Sequence, residues 1–258
     1  MLHTDRERAQ SFGADADRYD RARPSYPTAL LDDLLEGAQP SVLDVGTGTG
    51  KAAELFAARG CRVLGVEADD RMADRARQKG IDVEVATFEA WEPAGRRFDL
   101  VVAAQAWHWV DPRRAPAKAA DVLSPGGRLA PFWNTLCAPD DAITGRFATA
   151  YRRVAPEVGD DARSLGLVHR LAVDTPAHAE AIERCGRFGP CEVRTHRWTR
   201  AYTTAEWLDL LPTISTHRLL GPERLARLTE EIGDALEDLG GRLELTYETV
   251  VLVAPLAP

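Results

Sequence analysis

Three glycines at alternate positions, Gly46, Gly48 and Gly50, follow the apolar Val42, Leu43 and Val45 and lead into an Ala-rich run from Lys51. A strand that turns through glycines into a helix gathers unpaired backbone N–H groups at one point. The helix dipole adds to them, so this point suits an anionic group of a nucleotide-like ligand. Asp44 alone interrupts the apolar strand. Glu67 closes the next apolar run, CRVLGV, where an ionised carboxylate accepts hydrogen bonds from both hydroxyls of a ribose.

Three ligands compete for such a turn. A phosphate loop needs G-x-x-x-x-G-K-[ST], with the last hydroxyl on magnesium. Gly46 to Gly50 is one residue short, and Ala52 stands where the hydroxyl belongs. A dinucleotide fold prefers G-x-G-x-x-G, because its third glycine permits close helix–strand packing; here the spacing is G-x-G-x-G. The third ligand is S-adenosylmethionine, whose methionine carboxylate accepts from helix N-terminal amides. Glu67 alone does not separate it from NAD, since both carry the diol.

The elements that must position these residues alternate. Strands are expected at residues 41–45, 61–66, 81–87, 98–104 and 128–133, with helices at 51–59, 70–78 and about 113–123 between them. That alternation is the mark of a doubly wound parallel sheet, with all strand carboxyl ends on one edge. Residues 1–36 form a charged helical lead-in broken at Pro24 and Pro27. From Leu136 to about Arg187 the pattern turns helical. Two last strands near 192–202 and 242–254 flank helices that begin near Thr204 and Pro222, and the final strand alternates as an antiparallel partner should. The fold class is therefore α/β, a Rossmann-like seven-stranded mostly parallel sheet with a helical cover inserted after the fifth strand. One domain is expected over 1–258: lead-in 1–37, cofactor-binding core 38–134, helical cover 135–190, and C-terminal helices and strands 191–258.

Composition narrows the function. The formal net charge is −8, which disfavours a nucleic-acid surface. No stretch of 18 apolar residues indicates a membrane span, and the charged N-terminus lacks an apolar signal core. Four cysteines without a CxxC pair suggest neither a zinc site nor a disulfide framework, so thiols in a reducing cytoplasm are expected and no metal is.

Taken together, VLDVGTGTGKAA, GVEADDRM, FDLVVAAQAWHWVD and LSPGGRLAPFW resemble the successive motifs of class I S-adenosylmethionine-dependent methyltransferases. The likeness is strong over about residues 12–134 and weaker beyond. ADRYDRARPSYP, QAWHWVD, FWN, TISTHRLL and GGRLELTYETVVLVA are similar to a bacterial and fungal subgroup that includes trans-aconitate methyltransferase-like and small-molecule thiol methyltransferases. The resemblance implies that Gly46, Thr47, Gly48 and Gly50 hold the methionine end of the cofactor. It has Asp44 orient that loop or reach the amino group through water, and Glu67 take the ribose. Ala68 and Met72 then pack near the adenine, with Phe88 and Glu89 flanking it. Gln105, Ala106 and Trp107 would floor the cofactor near its methyl, and Tyr19 and Arg23 belong to a segment folded over it.

The methyl of a sulfonium is already activated, so the protein chiefly aligns an acceptor and excludes water. His108 is a candidate general base for an acceptor OH or SH, because its intrinsic pKa is near neutrality. Trp107 and Trp109, facing opposite ways if extended, offer one ring to the reacting cation. His217, at the end of the helix containing Trp207, is a second catalytic candidate, weighed against a plain dipole partner. Trp133, Asn134, Tyr202 and Trp207 are further acceptor-side candidates, whereas His3, His169, His178 and His196 read as solvated or structural.

The expected activity is methyl transfer to an oxygen, sulfur or carboxylate of a small molecule, such as a secondary-metabolite thiol or acid. The expected enzyme is a cytoplasmic monomer or homodimer without membrane or nucleic-acid partners. Two alternatives stand beside it. An NAD(P)-dependent oxidoreductase is opposed by the glycine spacing and by the lack of a Tyr-x-x-x-Lys pair after the fifth strand. A non-catalytic cofactor-binding protein is opposed by the intact glycines, Glu67 and aromatic segment.

Overall fold

The computed structural model describes residues 11–137, 140–158 and 174–258. Seven strands form one sheet in the order β3-β2-β1-β4-β5-β7-β6. They are β1 Ser41–Val45, β2 Arg62–Glu67, β3 Asp82–Val85, β4 Phe98–Ala104, β5 Leu123–Leu136, β6 Glu192–Thr203 and β7 Arg242–Pro255. The first five run parallel, with Leu43 opposite both Leu64 and Val101. β7 runs antiparallel to β5 and β6, as its alternating sequence implies.

Strand side chains alternate between faces, and the apolar residues divide accordingly. Val42, Leu100, Val102 and Phe132 pack on one face with Phe56 of α3 (Lys51–Ala58) and Leu30 and Leu34 of α2 (Thr28–Leu35). Leu43, Val45, Val101, Ala103 and Trp133 face the other way, toward α5 (Ala115–Val122) and α7 (Thr175–Arg184). Both faces of β1 and β4 are thus covered, which is why these strands are near-continuous apolar runs. α4 (Asp70–Gln78) lies against β2 and β3.

A third cluster lies beyond the sheet. It joins α6 (Asp141–Val154), α8 (Thr204–Leu210) and α10 (Pro222–Glu237) through Phe147, Tyr151, Trp207, Leu228 and Ile232, against Leu243, Leu245 and Tyr247 of β7. The lead-in comprises a short turn of helix, Ser11–Asp15, then α1 (Ala16–Ala22), which bridges from α4 to α8.

Several boundaries differ from expectation. β5 begins at Leu123 rather than Arg128, because Leu123 already pairs with Phe98; the Ser-Pro-Gly-Gly segment then bulges out, with Gly126 at φ 78°, and pairing resumes at Arg128 opposite Leu100. β3 is shorter than 81–87, and α5 begins at Ala115 so that Pro116 lies in its first turn, where a missing N–H costs nothing. His217 is not on the helix of Trp207. A 3-10 turn at Leu211–Thr213 separates α8 from α9 (Ser215–Arg218). No helix among the described residues is long and apolar enough to cross a membrane. His3 and His169 lie outside the described residues.

Phe56 is fully buried between β1 and α2. Phe56→Ala should therefore lower unfolding free energy by about 3–5 kcal/mol, read by urea denaturation at unchanged m-value.

Candidate active site

The parallel strands place Gly46, Glu67 and Gln105 together at one edge. Gly46, Gly48 and Gly50 have φ of 67°, 56° and 79°, conformations that L side chains rarely adopt. A Cβ on Gly46 would lie 2.6 Å from the Cβ of Ala106, and one on Gly50 would lie 3.0 Å from the Cβ of Ala76. Glycine is thus required both for backbone shape and for close approach.

The turn's amides are mostly engaged within the protein, which corrects the expectation of an array of unpaired donors. Gly46 and Thr47 donate to the Val66 carbonyl at 2.8 and 3.2 Å, and Gly50 donates to the Thr47 carbonyl at 2.9 Å. Gly48 donates to Glu67 Oε2 at 2.8 Å, while Glu67 Oε1 accepts from the Asp69 amide at 2.9 Å. Burial raises the Glu67 pKa, against the pull of these backbone donors. The loop and the end of β2 are one bonded unit, and the glycines shape its wall.

Asp44 is fully buried beneath this turn. Its Oδ2 accepts from Thr47 Oγ1 at 2.7 Å, whereas Oδ1 is buried without a partner. Burial pushes its pKa up to about 7, opposed by the Thr47 hydrogen bond and helped by the charge of Glu67. A buried carboxylate oxygen with no donor fits a ligand that brings one. The ammonium of a methionine-like group is such a donor. Met72 is buried with its Cε 3.6 Å from where a Gly48 Cβ would stand, and Ala68 is exposed beside it.

The lead-in folds over this edge. Asp20 accepts from Thr49 Oγ1 at 2.8 Å and from Lys79 Nζ at 2.5 Å, and its carbonyl accepts from Lys51 Nζ. Burial opposes the Asp20 charge, but the Lys79 and Thr49 hydrogen bonds and the nearby lysines leave its pKa lowered. A side chain at Gly13 would strike Asp69. On the other flank Arg18 and Arg21 both donate to Asp209 of α8. Arg23 donates to the Thr213 carbonyl at 2.6 Å, its guanidinium carbon is 5.3 Å from the centre of the Tyr19 ring, and its buried Nε has no partner. Tyr19 and Arg23 are therefore held by a clamp, Asp20 and Asp209, that sequence inspection did not single out.

After β4, Gln105 has φ 57° and donates from Nε2 to the Asn134 carbonyl at 3.1 Å. A non-glycine residue there is strained, held by neighbours at the site. Residues Trp107–Trp109 form a 3-10 turn rather than an extended segment. Trp107 enters the core with its ring 6.3 Å from Phe88, and Phe88 stacks 6.4 Å from Trp91. Both rings are packed in the interior, so Trp107 supports the site from behind instead of presenting its face. Glu89 accepts from the Asp111 amide at 2.7 Å and so ties β3's loop to the turn after β4. His108 is half-buried and accepts at Nδ1 from Trp133 Nε1 at 3.1 Å. His178 stacks on Trp133 at 5.1 Å, a contact that sequence spacing did not signal.

His217 is fully buried in the cap cluster. Its Nε2 is 2.7 Å from the Tyr151 hydroxyl, and its Nδ1 has no partner. Burial, then the charge of Arg23, push its pKa down to about 4, so it is neutral at pH 7. Tyr202 and Tyr247 share a hydroxyl–hydroxyl bond of 2.7 Å nearby in the same cluster. Trp207 is buried with its indole nitrogen unpartnered. Asn134 donates to the Ser25 carbonyl and accepts from Thr249. Tyr151 and Tyr247 join this group only through the fold. Among the described residues no cluster of three metal-ligating side chains occurs.

The strand order, with glycine turn and acidic second-strand end at one edge, defines the architecture of class I S-adenosylmethionine-dependent methyltransferases. Within the chain, residues 43–130 match the family described as Methyltransf_11, methyltransferase domain. It is 43% identical over 137 residues to uncharacterised methyltransferases of Mycobacterium tuberculosis and Mycobacterium bovis. That match covers 52% of this chain and 56% of theirs, so the chain spans about half the length of these relatives. A structure from Anaeromyxobacter dehalogenans, provisionally assigned as a type II methyltransferase, superposes with TM-score 0.66 at 25% identity, covering 92% of this chain and 99% of that one. The fold also matches phosphoethanolamine N-methyltransferase 2 of Haemonchus contortus, solved with S-adenosylhomocysteine, at TM-score 0.53 and 16% identity over 98% of this chain and 59% of that one. S-adenosylmethionine is the cofactor of this class, and the orphaned Asp44 oxygen, the glycine wall and Glu67 fit it.

Two outcomes follow from this geometry. Asp44 binds its proton more tightly folded than unfolded, so its contribution to stability is full below about pH 4 and is lost as pH rises toward about 7. Asp44→Asn should remove roughly one proton's worth of that slope, measured by denaturation at stepped pH. Asp20→Ala should free the lead-in, speeding tryptic cleavage at Arg18 and Arg21 about tenfold or more while the thermal midpoint of the remaining fold changes by only a few degrees.

Proposed function

We propose that this chain is an active enzyme that transfers a methyl group from S-adenosylmethionine to an oxygen, sulfur or carboxylate of a small molecule. The observation that carries the reading is the buried, unpartnered Asp44 Oδ1 under a glycine turn that the lead-in covers. Bound cofactor supplies a methyl on a sulfonium; the acceptor's lone pair takes it while the carbon–sulfur electrons return to sulfur.

The chain's own residues then bind and enclose. Asp44 meets the amino group, and Gly46, Thr47, Gly48 and Gly50 line the methionine end. Glu67 accepts from the ribose, Ala68 and Met72 border the adenine, and Gln105 and Ala106 floor the reacting end. Phe88, Glu89 and Trp107 back the adenine wall, and Tyr19 and Arg23 close over it and exclude water. The acceptor sits against the cap, where Arg23, Tyr202, Tyr247 and the Tyr151–His217 pair offer polar groups inside an apolar cluster. Enclosure of this kind supports a small acceptor. The net charge of −8 speaks against nucleic acid, and the free thiols of Cys61, Cys137, Cys185 and Cys191 suit a reducing cytoplasm. Segments 135–190 and 191–258 serve as cover and sheet extension of the same domain as the core.

Isothermal titration with S-adenosylhomocysteine tests the reading. Binding is expected, and Glu67→Ala should weaken it at least tenfold while the thermal midpoint falls by only a few degrees as the Gly48 and Asp69 amides lose their acceptor. No binding, with NADH bound instead, would overturn it. Thiols, phenols and carboxylic acids assayed with methyl-labelled cofactor then identify the acceptor.

A further inference from the structure

We propose that Trp133 is a positioning residue that holds His108 in its Nε2–H tautomer, making His108 a hydrogen-bond donor and not a general base. The inference rests on the reading of this edge as the methyl-transfer site. An indole N–H only donates, so the 3.1 Å contact from Trp133 Nε1 requires a lone pair on His108 Nδ1. The hydrogen of the neutral ring is then on Nε2. A proton added at Nδ1 would set two N–H groups against each other and strand the indole donor.

Trp133 has little freedom to turn away. It is fully buried on β5, opposite Val250 of β7 in the sheet register. The His178 ring lies nearly parallel to it, at an interplanar angle of 17° and a centroid distance of 5.1 Å, and α7 carries that ring. Sheet and helix together fix the indole, and the indole fixes the imidazole. With the Nδ1 lone pair engaged and Nε2 protonated, His108 has no lone pair with which to take a proton while the Trp133 bond lasts. On this proposal His108 is not the general base expected from its intrinsic pKa.

The chemistry that remains is narrower. With no base at His108, the site suits acceptors that ionise by themselves near neutral pH. For such an acceptor the anion's lone pair forms the bond to the methyl carbon, the carbon–sulfur pair goes to sulfur, and no proton moves.

The test uses the full chain labelled with nitrogen-15 at histidine and tryptophan. The His108 and Trp133 signals are assigned by their loss in His108→Gln and Trp133→Phe. Long-range proton–nitrogen spectra at pH 7.5 should show His108 with hydrogen on Nε2 and an acceptor-type Nδ1. Trp133→Phe should let the Nδ1–H form appear. If that variant does not fold, His108→Gln should shift the Trp133 indole N–H upfield. An Nδ1–H or doubly protonated His108 in the unaltered chain would overturn the proposal, and so would an indole signal indifferent to His108→Gln. Titration with S-adenosylhomocysteine on the same sample separates the two readings: failure to bind sinks the methyl-transfer reading, whereas the tautomer is read without ligand.

Discussion

The structure depends on one buried contact, the hydrogen bond from Thr47 to Asp44 beneath the glycine turn. A carboxylate at full burial is costly, and one hydrogen bond leaves its other oxygen unpaired. The sheet tolerates this because β1 is central, covered on both faces, and its turn is tied to β2 by the Gly46, Thr47 and Gly48 amides. The same ties that satisfy the turn's backbone leave Asp44 as the group waiting for a partner. Stability and ligand recognition are thus opposed at one residue, as is common for sites that bind charge.

The second constraint is enclosure. Asp20 reaches the glycine turn through Thr49 and Lys79, while Arg18 and Arg21 reach α8 through Asp209. α1 therefore spans the sheet edge between core and cap. The Arg21–Asp209 pair is open to solvent on the arginine side and weak alone, whereas the Asp20–Lys79 pair is mostly buried; together they set where Tyr19 and Arg23 lie. The cap supplies the other wall, built on Phe147, Trp207 and the start of β7. Buried polar atoms without a partner lie around it on Arg23, Trp207, Thr216 and His217, as they do on Asp44 of β1 and Thr135 of β5.

The parallel core was legible because doubly buried strands and their alternating helices leave a strong local pattern. FDLVVAA could be little else than a covered strand, and Gly60 and Gly80 mark helix ends where φ is 82°. Glu67 was legible from its place at a strand end. The aromatic segment was not, because a 3-10 turn and an extended chain differ only in backbone angles that Trp-His-Trp does not dictate. The helix assigned to both Trp207 and His217 failed for a similar reason: Pro212 permits a tight turn at which the helix breaks.

The sequence by itself determined the order of elements, the glycine turn and the acidic strand end, since each follows from local patterning and side-chain type. Tertiary structure decided which amides the turn retains, which partner each histidine meets, and which aromatic ring turns inward. Those outcomes depend on contacts between residues distant in the chain. Asp20 meets Thr49, Tyr151 meets His217 and Trp133 meets His108 only because the sheet brings its loops to one edge.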